Sequence, residues 1–286
     1  MSVSSDKVTV YQSGPRTGLN PLVWIEITAR LLKHRELIWR LFVRNFSSRY
    51  RQTALGMLWT VITPVIAVGT FIFLDRSGVV NLGPVDIPYP AYAILGLTIW
   101  QLFAGGISAC SNSITAGGSM VIKIKFPLES LVISSLGLTL VDTLVRLVLV
   151  ALVFAYYRVV PNWTAILFPF SLIPIFLMTL GLGFILSLLN GFMRDIRNVV
   201  TFATTFLLFL TPVLYSAPES GIFQVLNKYN PLAPLVGGPR DLLIKGHLSD
   251  PSGFIWASVL SMVLFLLFWR LFYLAESRVA ERMGAR

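Results

Sequence analysis

One pair of ionisable residues, Asp142 and Arg146, lies within a long apolar stretch of the sequence. Side chains four residues apart share a helix face, so the two charges can neutralise each other. Either charge alone at the centre of a bilayer costs roughly 2.5–3.5 kcal/mol on insertion scales. The pair therefore predicts either a structural ion pair at a helix interface or the lining of a polar pathway. A proton relay is disfavoured, because a permanently charged arginine keeps the aspartate ionised.

Motifs for covalent chemistry are absent from the sequence. It has no phosphate-binding loop of the type Gly-x-x-x-x-Gly-Lys-Ser/Thr and no His-Glu-x-x-His or Cys-x-x-Cys pattern for a metal. The only histidines, His34 and His247, are predicted on opposite sides of a membrane, and nothing supports a Ser-His-Asp site. We expect no catalytic residues, no metal site and no cofactor in this chain. Uphill transport would then need energy from outside the chain.

Six apolar stretches carry most of the sequence. They cover residues 54–74, 91–113, 128–157, 164–190, 199–215 and 254–275. About 20 apolar residues are needed for a helix to cross a hydrocarbon core of roughly 30 Å. The stretches are continuous rather than alternating, which favours helices over a β-barrel. We predict an all-α polytopic membrane protein with six transmembrane helices, in agreement with a composition of 55% hydrophobic and 13% charged residues.

The distribution of basic residues predicts the orientation of the chain. Of the 23 Lys and Arg residues, 17 fall in the termini, in the loops after the second and fourth stretches, and at Arg270 near the C-terminal end of the sixth stretch. The positive-inside rule places these regions in the cytoplasm. We expect a plasma-membrane protein with both termini cytoplasmic. Topology and anionic membrane lipids explain the net charge of +10, so no nucleic-acid partner is expected.

The segments outside the spans divide into three parts. Residues 1–21 are polar, lack the apolar core of a signal peptide, and are expected to form a disordered cytoplasmic tail. Residues 22–51 predict a cytoplasmic amphipathic interface helix. It is either a simple membrane anchor or a docking surface for a cytoplasmic partner. Residues 52–277 form the six-span domain, and residues 278–286 are a second cytoplasmic tail.

The predicted external loop, residues 216–253, contains two short apolar segments on either side of Asn230 and Pro231. Segments of about 10–14 apolar residues are too short to span and are often re-entrant or interfacial. Two short re-entrant helices hinged at Asn230 and Pro231 would form an external gate. The alternative is a surface hairpin that rests on the lipid headgroups.

Small residues recur every four positions in the fourth stretch, at Gly183, Ser187 and Gly191. Such spacing lets helix backbones approach closely inside a membrane. The pattern is weak evidence for oligomerisation, because it arises often by chance.

A series of short motifs carries a family resemblance. They are Arg35–Arg40, Arg49–Arg51, Leu55–Trp59 with Pro64, Lys123–Pro127, Arg194–Arg197, Thr211–Tyr215, Asn230–Leu232 and Arg240–Asp241. In this order, over roughly residues 30–280, they resemble the permease subunits of polysaccharide ABC exporters. These are type-2 ABC exporter permeases that move O-antigen, capsular polysaccharide or teichoic acid. Each motif alone is weak, and together they are specific.

The resemblance implies a homodimeric permease joined to two copies of a separate ATPase subunit, which would bind ATP and Mg. The cargo would be a polysaccharide such as O-antigen or another lipid-linked glycan, moved across the inner membrane. The resemblance also favours the docking role for residues 22–51. It implies that basic and acidic residues near the cytoplasmic loops couple the permease to the ATPase. These residues are Arg44, Arg49, Lys123, Lys125, Arg194 and Asp195.

Aromatic residues give modest support to a sugar cargo, because the C–H faces of sugars pack on aromatic rings. Aromatics make up 13% of the chain. The candidates for a channel wall are Trp59, Phe71, Phe73, Tyr89, Tyr92, Trp100 and Phe103. Some of them must belong to the interfacial belt or the packed interior instead.

Two other functions remain open at the level of the sequence. One is a type-2 ABC exporter of drugs or lipids, which a wide channel with aromatic walls would argue against. The other is a membrane-embedded glycosyl or acyl transferase. A transferase predicts acidic or histidine residues clustered at one membrane face, and the sequence shows no such cluster.

Overall fold

The computed structural model describes residues 22–51, 56–78, 85–118, 120–121, 126–193, 195–216 and 221–284. Within these ranges the regular elements are all helical, which confirms the all-α prediction. The helices are α1 (Leu22–Lys33), α2 (Arg35–Arg51), α3 (Trp59–Arg76), α4 (Tyr89–Ser111), α5 (Ser113–Gly117), α6 (Glu129–Tyr157), α7 (Phe168–Ser171), α8 (Ile173–Phe192), α9 (Ile196–Leu210), α10 (Ile222–Tyr229), α11 (Leu232–Ile244) and α12 (Pro251–Gly284). Single 3₁₀ turns, Gly56–Leu58 and Trp163–Leu167, precede α3 and α7. The tail 1–21 lies outside the described residues.

Five helical segments are long and apolar enough to cross a membrane. Within the described ranges they are Gly56–Arg76, Tyr89–Ser111, Glu129–Tyr157, Trp163–Phe192 and Pro251–Glu276. These segments coincide with five of the six predicted stretches. Continuous apolar composition over about 20 residues was a sufficient signal for each of them.

The fifth predicted span, residues 199–215, is a shorter helix than expected. α9 contains 15 residues, or about 22 Å at a rise of 1.5 Å per residue, and it ends at Leu210. Pro212 explains this end, because the residue before a proline is displaced from the helical region. Thr211 accordingly has the extended backbone angles φ −104° and ψ 135°.

α4 is the central helix of the fold. It packs against α6 and α8 along much of its length, and α3 and α9 flank it. Small residues on α4 allow its neighbours to approach it closely. At Gly96 the carbonyl oxygen of Val213 occupies the space that a side chain would fill. Most of the side chains between Ala91 and Trp100 are consequently buried on all sides.

The small residues of α8 bring neighbouring backbones together within the chain. A Cβ atom added to Gly181 would lie 2.7 Å from the Cα atom of Phe265 on α12. A Cβ atom added to Gly183 would lie 2.6 Å from the Cβ atom of Cys110 on α4. Ser187 is also fully buried. Gly183 and Ser187 thus serve packing inside the chain, and oligomerisation through this pattern stays a prediction.

The region 22–51 forms two helices, α1 and α2, instead of one continuous helix. The break lies at His34, whose ring nitrogen Nδ1 is 2.8 Å from the carbonyl oxygen of Arg30. α2 packs against the first half of α6. There Gly137 makes room for Phe42, whose ring would be 3.1 Å from an added Cβ atom. α2 is therefore attached to the bundle through α6.

Candidate functional site

Arg30 on α1 joins two buried carboxylates from different spans. Its guanidinium donates hydrogen bonds to Glu129, the first residue of α6, and to Oε1 of Glu276 on α12 at 2.6 Å. We call Arg30, Glu129 and Glu276 the Arg30 clamp. A buried carboxylate needs such a partner, since an uncompensated charge away from water is costly. The clamp holds α1 against the ends of two spans.

Aromatic contacts extend the Arg30 clamp along α12. The guanidinium of Arg30 lies over the ring of Tyr273 at 4.8 Å from its centroid, a favourable cation–π position. The Tyr273 hydroxyl donates to Oε1 of Glu26 at 3.0 Å. Trp24 and Trp269 meet edge to face with ring centroids 5.6 Å apart. α1 is thus fixed to α12 by charge, hydrogen bonding and ring packing together.

The charge of Arg30 is stable in this setting. Burial by itself lowers the pKa of Arg30, but the hydrogen bond to Glu276 and the negative charges of Glu129 and Glu276 outweigh it, so the pKa is raised overall. The guanidinium therefore stays protonated. Sequence reasoning gave no role to these residues. The signal available was an acidic residue at one end of an apolar stretch, at Glu129 and again at Glu276.

Asp142 forms an ion pair with Arg49 of α2. The Nη1 atom of Arg49 lies 3.0 Å from Oδ2 of Asp142, and the aspartate is almost completely buried. The sequence predicted a pair between Asp142 and Arg146 and placed Arg49 at the ATPase interface. In the structure Arg49 reaches the membrane-spanning helix α6. The pair of Asp142 with Arg146 and the coupling role of Arg49 stay predictions. The local spacing of four residues carried no information about a partner from another helix.

A cleft opens beside this ion pair, between α2, α3, α4 and α6. It has a volume of about 220 Å³. Its polar lining comprises Arg49, Trp59, Thr60, Thr63, Gln101 and Arg146, and its apolar lining comprises Pro64, Ala67 and Leu97. We call it the basic cleft. Asp142 and Arg146 thus meet the same polar region, as their shared helix face predicted, with Arg49 added from α2.

A second polar cluster lies where α9 ends. Nη1 of Arg240 donates to the carbonyl oxygens of Pro212 and Val213 at 3.3 and 3.4 Å. Its guanidinium lies over the ring of Tyr92 at 4.0 Å from the centroid. The amide of Asn230 donates to the Thr211 hydroxyl at 2.9 Å. We call this group the Arg240 cluster.

The Arg240 cluster satisfies backbone groups that leave the helical pattern. Carbonyl oxygens after Leu210 have no helical partner, and exposed backbone of this kind is tolerated at membrane depth only where protein covers it. Arg240 supplies the donors, and burial lowers its pKa from the ordinary value. Arg240 was noticed only as part of a motif. An arginine inside an apolar segment was the signal for its role.

Asn230 and Pro231 lie between two short helices, α10 and α11. The side-chain oxygen of Asn230 accepts a hydrogen bond from the backbone N–H of Leu232 at 3.0 Å. Asn230 therefore starts α11 while its amide holds the end of α9. The predicted hinge position is the junction of these helices, and its role as an external gate stays a prediction.

Three of the aromatic candidates are enclosed by the chain itself. Tyr92, Trp100 and Phe103 are buried, with the rings of Trp100 and Phe103 5.5 Å apart. In this conformation these rings pack the core around α4 and offer no face to a passing polymer. The structure assigns them to the packed interior that the sequence left as an alternative.

The other four aromatic candidates keep exposed surface. Trp59 and Phe73 on α3 are 52% and 70% exposed. Phe71 and Tyr89 are partly buried. Trp59 also contributes to the basic cleft. A channel wall built by this chain would draw on these four rings.

Among the predicted coupling residues, Arg44 and Asp195 are exposed. Arg44 donates to Oδ1 of Asn45 at 3.0 Å and to Sδ of Met120 at 3.4 Å, so α2 touches the segment after α5. Asp195 directly precedes α9. Lys123, Lys125 and Arg194 lie outside the described residues.

The sequence of the chain matches a family of known proteins. A profile of the ABC-2 type transporter family matches residues 36–244. The chain belongs to the ABC-2 type transporter family. The matched region begins in α2 and ends at the last residue of α11, so it contains both the basic cleft and the Arg240 cluster.

Individual members of this family are similar to the chain over most of its length. The O-antigen export system permease protein RfbA of Myxococcus xanthus is 25% identical over 90% of this chain and 98% of its own length. A protein of the same name from Klebsiella pneumoniae is 28% identical over 72% of this chain and 79% of its own length. The polysialic acid transport protein KpsM of Escherichia coli is 22% identical over 78% of this chain and 87% of its own length.

Proposed function

We propose that this ABC-2 transporter chain is the transmembrane subunit of an ATP-driven exporter that moves a polysaccharide or lipid-linked glycan out of the cytoplasm. The observation that carries the proposal is its end-to-end similarity to an O-antigen export permease, over 90% of this chain and 98% of that protein. Similarity to a polysialic acid transport protein points to the same class of cargo.

The energy would come from a separate ATPase subunit that binds ATP and Mg. The sequence contains no phosphate-binding loop of its own, which is why a partner is needed. We propose a homodimer of this chain with two ATPase copies in the inner membrane, both termini being cytoplasmic. Exposed Arg44 and Asp195, with Lys123, Lys125 and Arg194, would form the surface that meets the ATPase.

The N-terminal helices would carry the ATPase motion to the spans. α2 packs along α6 and contributes Arg49 to the pair with Asp142. α1 is held to α6 and α12 by the Arg30 clamp. A push on α1 or α2 therefore acts directly on spans rather than through a flexible linker.

The passage for the glycan would be lined by the four aromatic rings that keep exposed surface on α3 and at the start of α4. Such rings pack on the faces of sugars. A glycan chain would slide along them without being held at one ring, because stacking sites of similar strength repeat. The helices around Asn230 and Pro231 would gate the far end of the passage.

Reconstitution tests the proposal. Proteoliposomes containing the chain and its ATPase partner should import the cognate glycan when ATP is supplied on the ATPase side. A lipid-like drug that replaces the glycan as the transported species would support a drug or lipid exporter instead. Nucleotide turnover or carbohydrate modification by this subunit alone would contradict the proposal.

The coupling surface has its own test. Replacing both Arg194→Ala and Asp195→Ala should abolish glycan-stimulated ATP hydrolysis, while the ATPase still co-purifies. Arg158→Ala, on the predicted opposite side of the membrane, removes an arginine away from the ATPase and should leave the stimulation unchanged. Unchanged stimulation in the double variant would remove the coupling role of this loop.

A further inference from the structure

The first helix, α1, lies outside the region that the family profile matches. The match begins at residue 36 in α2, whereas α1 ends at Lys33. One side of α1 is attached to the bundle through the Arg30 clamp, and the opposite side is exposed. Membership of the family therefore does not say what covers this exposed side.

Side-chain contacts fix the direction of α1 beside α12. Three contacts follow each other in the same order along both helices: Trp24 with Trp269, Glu26 with Tyr273 and Arg30 with Glu276. Because the order is the same, α1 runs alongside the final turns of α12 in the same direction. The start of α1 is level with Trp269, and its last turn is level with Glu276.

These levels place the start of α1 inside the bilayer. The span Pro251–Glu276 has 26 residues, or about 39 Å at 1.5 Å per residue, so its ends reach beyond a hydrocarbon core of roughly 30 Å. Trp269 lies about two helical turns, or about 10 Å, before Glu276 and therefore falls within the core. The first turn of α1 lies at the same depth, whereas its last turn lies among the headgroups.

The side of α1 that faces away from α12 is apolar. Ile25 and Leu32 are 65% and 70% exposed, and Ala29 between them is exposed as well. Their spacing of four and three residues puts them on one helix face. The polar side chain beside them, Thr28, donates its hydroxyl to the carbonyl oxygen of Trp24 at 2.8 Å. This hydroxyl is therefore satisfied without water.

The surroundings of this apolar face are suited to lipid. At the same level α12 exposes Leu271 and Leu274, which belong to a membrane span, so the apolar face of α1 continues a surface that meets acyl chains. Exposed Lys33 ends α1 and exposed Arg35 follows it, at the level where anionic headgroups attract basic side chains. An apolar face that ends in basic residues is typical of a helix in contact with membrane lipid.

The exposed side of α2 has a different character. It carries the ion pair of Arg40 with Glu36, whose side chains are 75% and 74% accessible, and the exposed Arg44. Charged groups of this kind suit water or a protein partner, because burying them in hydrocarbon is costly. The two N-terminal helices therefore differ in what they face.

We propose that α1 inserts, start first, into the cytoplasmic leaflet, with Ile25, Ala29 and Leu32 against the acyl chains of bilayer lipids. The basic end of α1 then lies at the headgroups, and the Arg30 clamp fixes this lipid-facing helix to α6 and α12. The inference uses neither the ATPase nor the glycan, so it can fail without contradicting the proposed function.

Spin-label accessibility tests the proposal on the full-length chain in nanodiscs of phosphatidylethanolamine and phosphatidylglycerol. Cys110 is the only cysteine and is fully buried, so a nitroxide attaches to one introduced cysteine. Labels on Ile25→Cys and Leu32→Cys should collide more with oxygen, which concentrates in lipid, than with a water-soluble nickel chelate. The label on Ile25→Cys should be the deeper of the two. Arg40→Cys, on the charged side of α2, is the control and should show the reverse preference.

The outcomes separate lipid from the other occupants of this face. Preferential collision of both α1 labels with the nickel chelate would overturn the proposal, and their immobilisation on addition of the ATPase would then identify a docking surface. Protection from both reagents would identify a second copy of the chain and would also overturn it. A label at Leu32→Cys as deep as that at Ile25→Cys would contradict the start-first insertion. Ala29→Cys reports on the same face if either variant does not fold.

Discussion

Arg240 shows how a single buried charge can stabilise the end of a helix. α9 stops because Pro212 cannot continue it, and Arg240 then satisfies the released carbonyl oxygens from another element. A local sequence pattern predicts the stop, since it depends on one proline. It does not predict the donor, which comes from α11.

Replacing Arg240 tests this role. Arg240→Met keeps the long side chain but removes the donors, and should lower the free energy of unfolding by about 1–3 kcal/mol because buried acceptors lose their partners. Arg240→Lys should fall between Arg240→Met and the wild type. Thermal unfolding in detergent measures the change. A variant Arg240→Met as stable as the wild type would show that Arg240 has no structural role.

The Arg30 clamp gives a second prediction at the residue scale. Arg30→Gln leaves two buried carboxylates facing each other, and should destabilise the chain by about 3 kcal/mol or more. Adding Glu129→Gln should recover part of this loss, because it removes one of the facing charges. Denaturant-induced unfolding of the two variants and the wild type measures both effects.

Arg40→Gln is the control for the clamp. Arg40 and Glu36 form an exposed pair with side chains 75% and 74% accessible, and exposed pairs contribute little stability. This variant should unfold at the same denaturant concentration as the wild type. Equal stability of Arg30→Gln and Arg40→Gln would contradict the account of the clamp.

At the scale of elements, close contacts between helices depend on individual glycines. Gly181 of α8 faces the backbone of Phe265, whereas Gly69 of α3 has nothing within 4 Å of an added Cβ atom. Both are inside helices, where alanine is preferred to glycine by roughly 0.5–1 kcal/mol. Comparing alanine substitutions at these two sites therefore separates the effect of packing from the effect of helix propensity.

Alanine at these positions should have opposite effects. Gly69→Ala should be neutral or stabilising, because only helix propensity changes. Gly181→Ala should destabilise by about 1–3 kcal/mol, because the backbones of α8 and α12 must move apart. Melting temperatures in the same detergent give the comparison. Stabilisation by Gly181→Ala would show that the two helices are less tightly packed than described.

The helices differ in how far the sequence predicts them. Continuous apolar stretches predict the positions of five spans, since hydropathy is a local property summed over about 20 residues. The break at His34 between α1 and α2 has no comparable signal, because no proline or glycine marks it.

The candidate sites were harder to predict than the spans. Asp142 and Arg146 were identified because charges within an apolar stretch are conspicuous in the sequence. The partner Arg49 was missed because α2 and α6 meet only in the folded chain. For the same reason the sequence could not separate the buried Trp100 from the exposed Trp59.

At the scale of the whole molecule, the orientation in the membrane is directly measurable. Cys110 is the only cysteine and is fully buried, so the wild-type chain should not react with a membrane-impermeant maleimide. His247→Cys should react in intact spheroplasts, and Lys33→Cys only after permeabilisation. Both positions are exposed on the folded chain. The reverse pattern would place the termini outside.

The shortness of α9 has a consequence for the surrounding lipid. Its outward residues Phe202, Phe206 and Phe209 are exposed, yet a helix of 15 residues covers about 22 Å of a hydrocarbon layer roughly 30 Å thick. Where a helix of this length crosses the bilayer, the acyl chains beside it would have to compress, at a cost that grows with the mismatch. Membranes with shorter acyl chains would reduce this mismatch. The thickness of the bilayer would then affect how favourably α9 is accommodated in it.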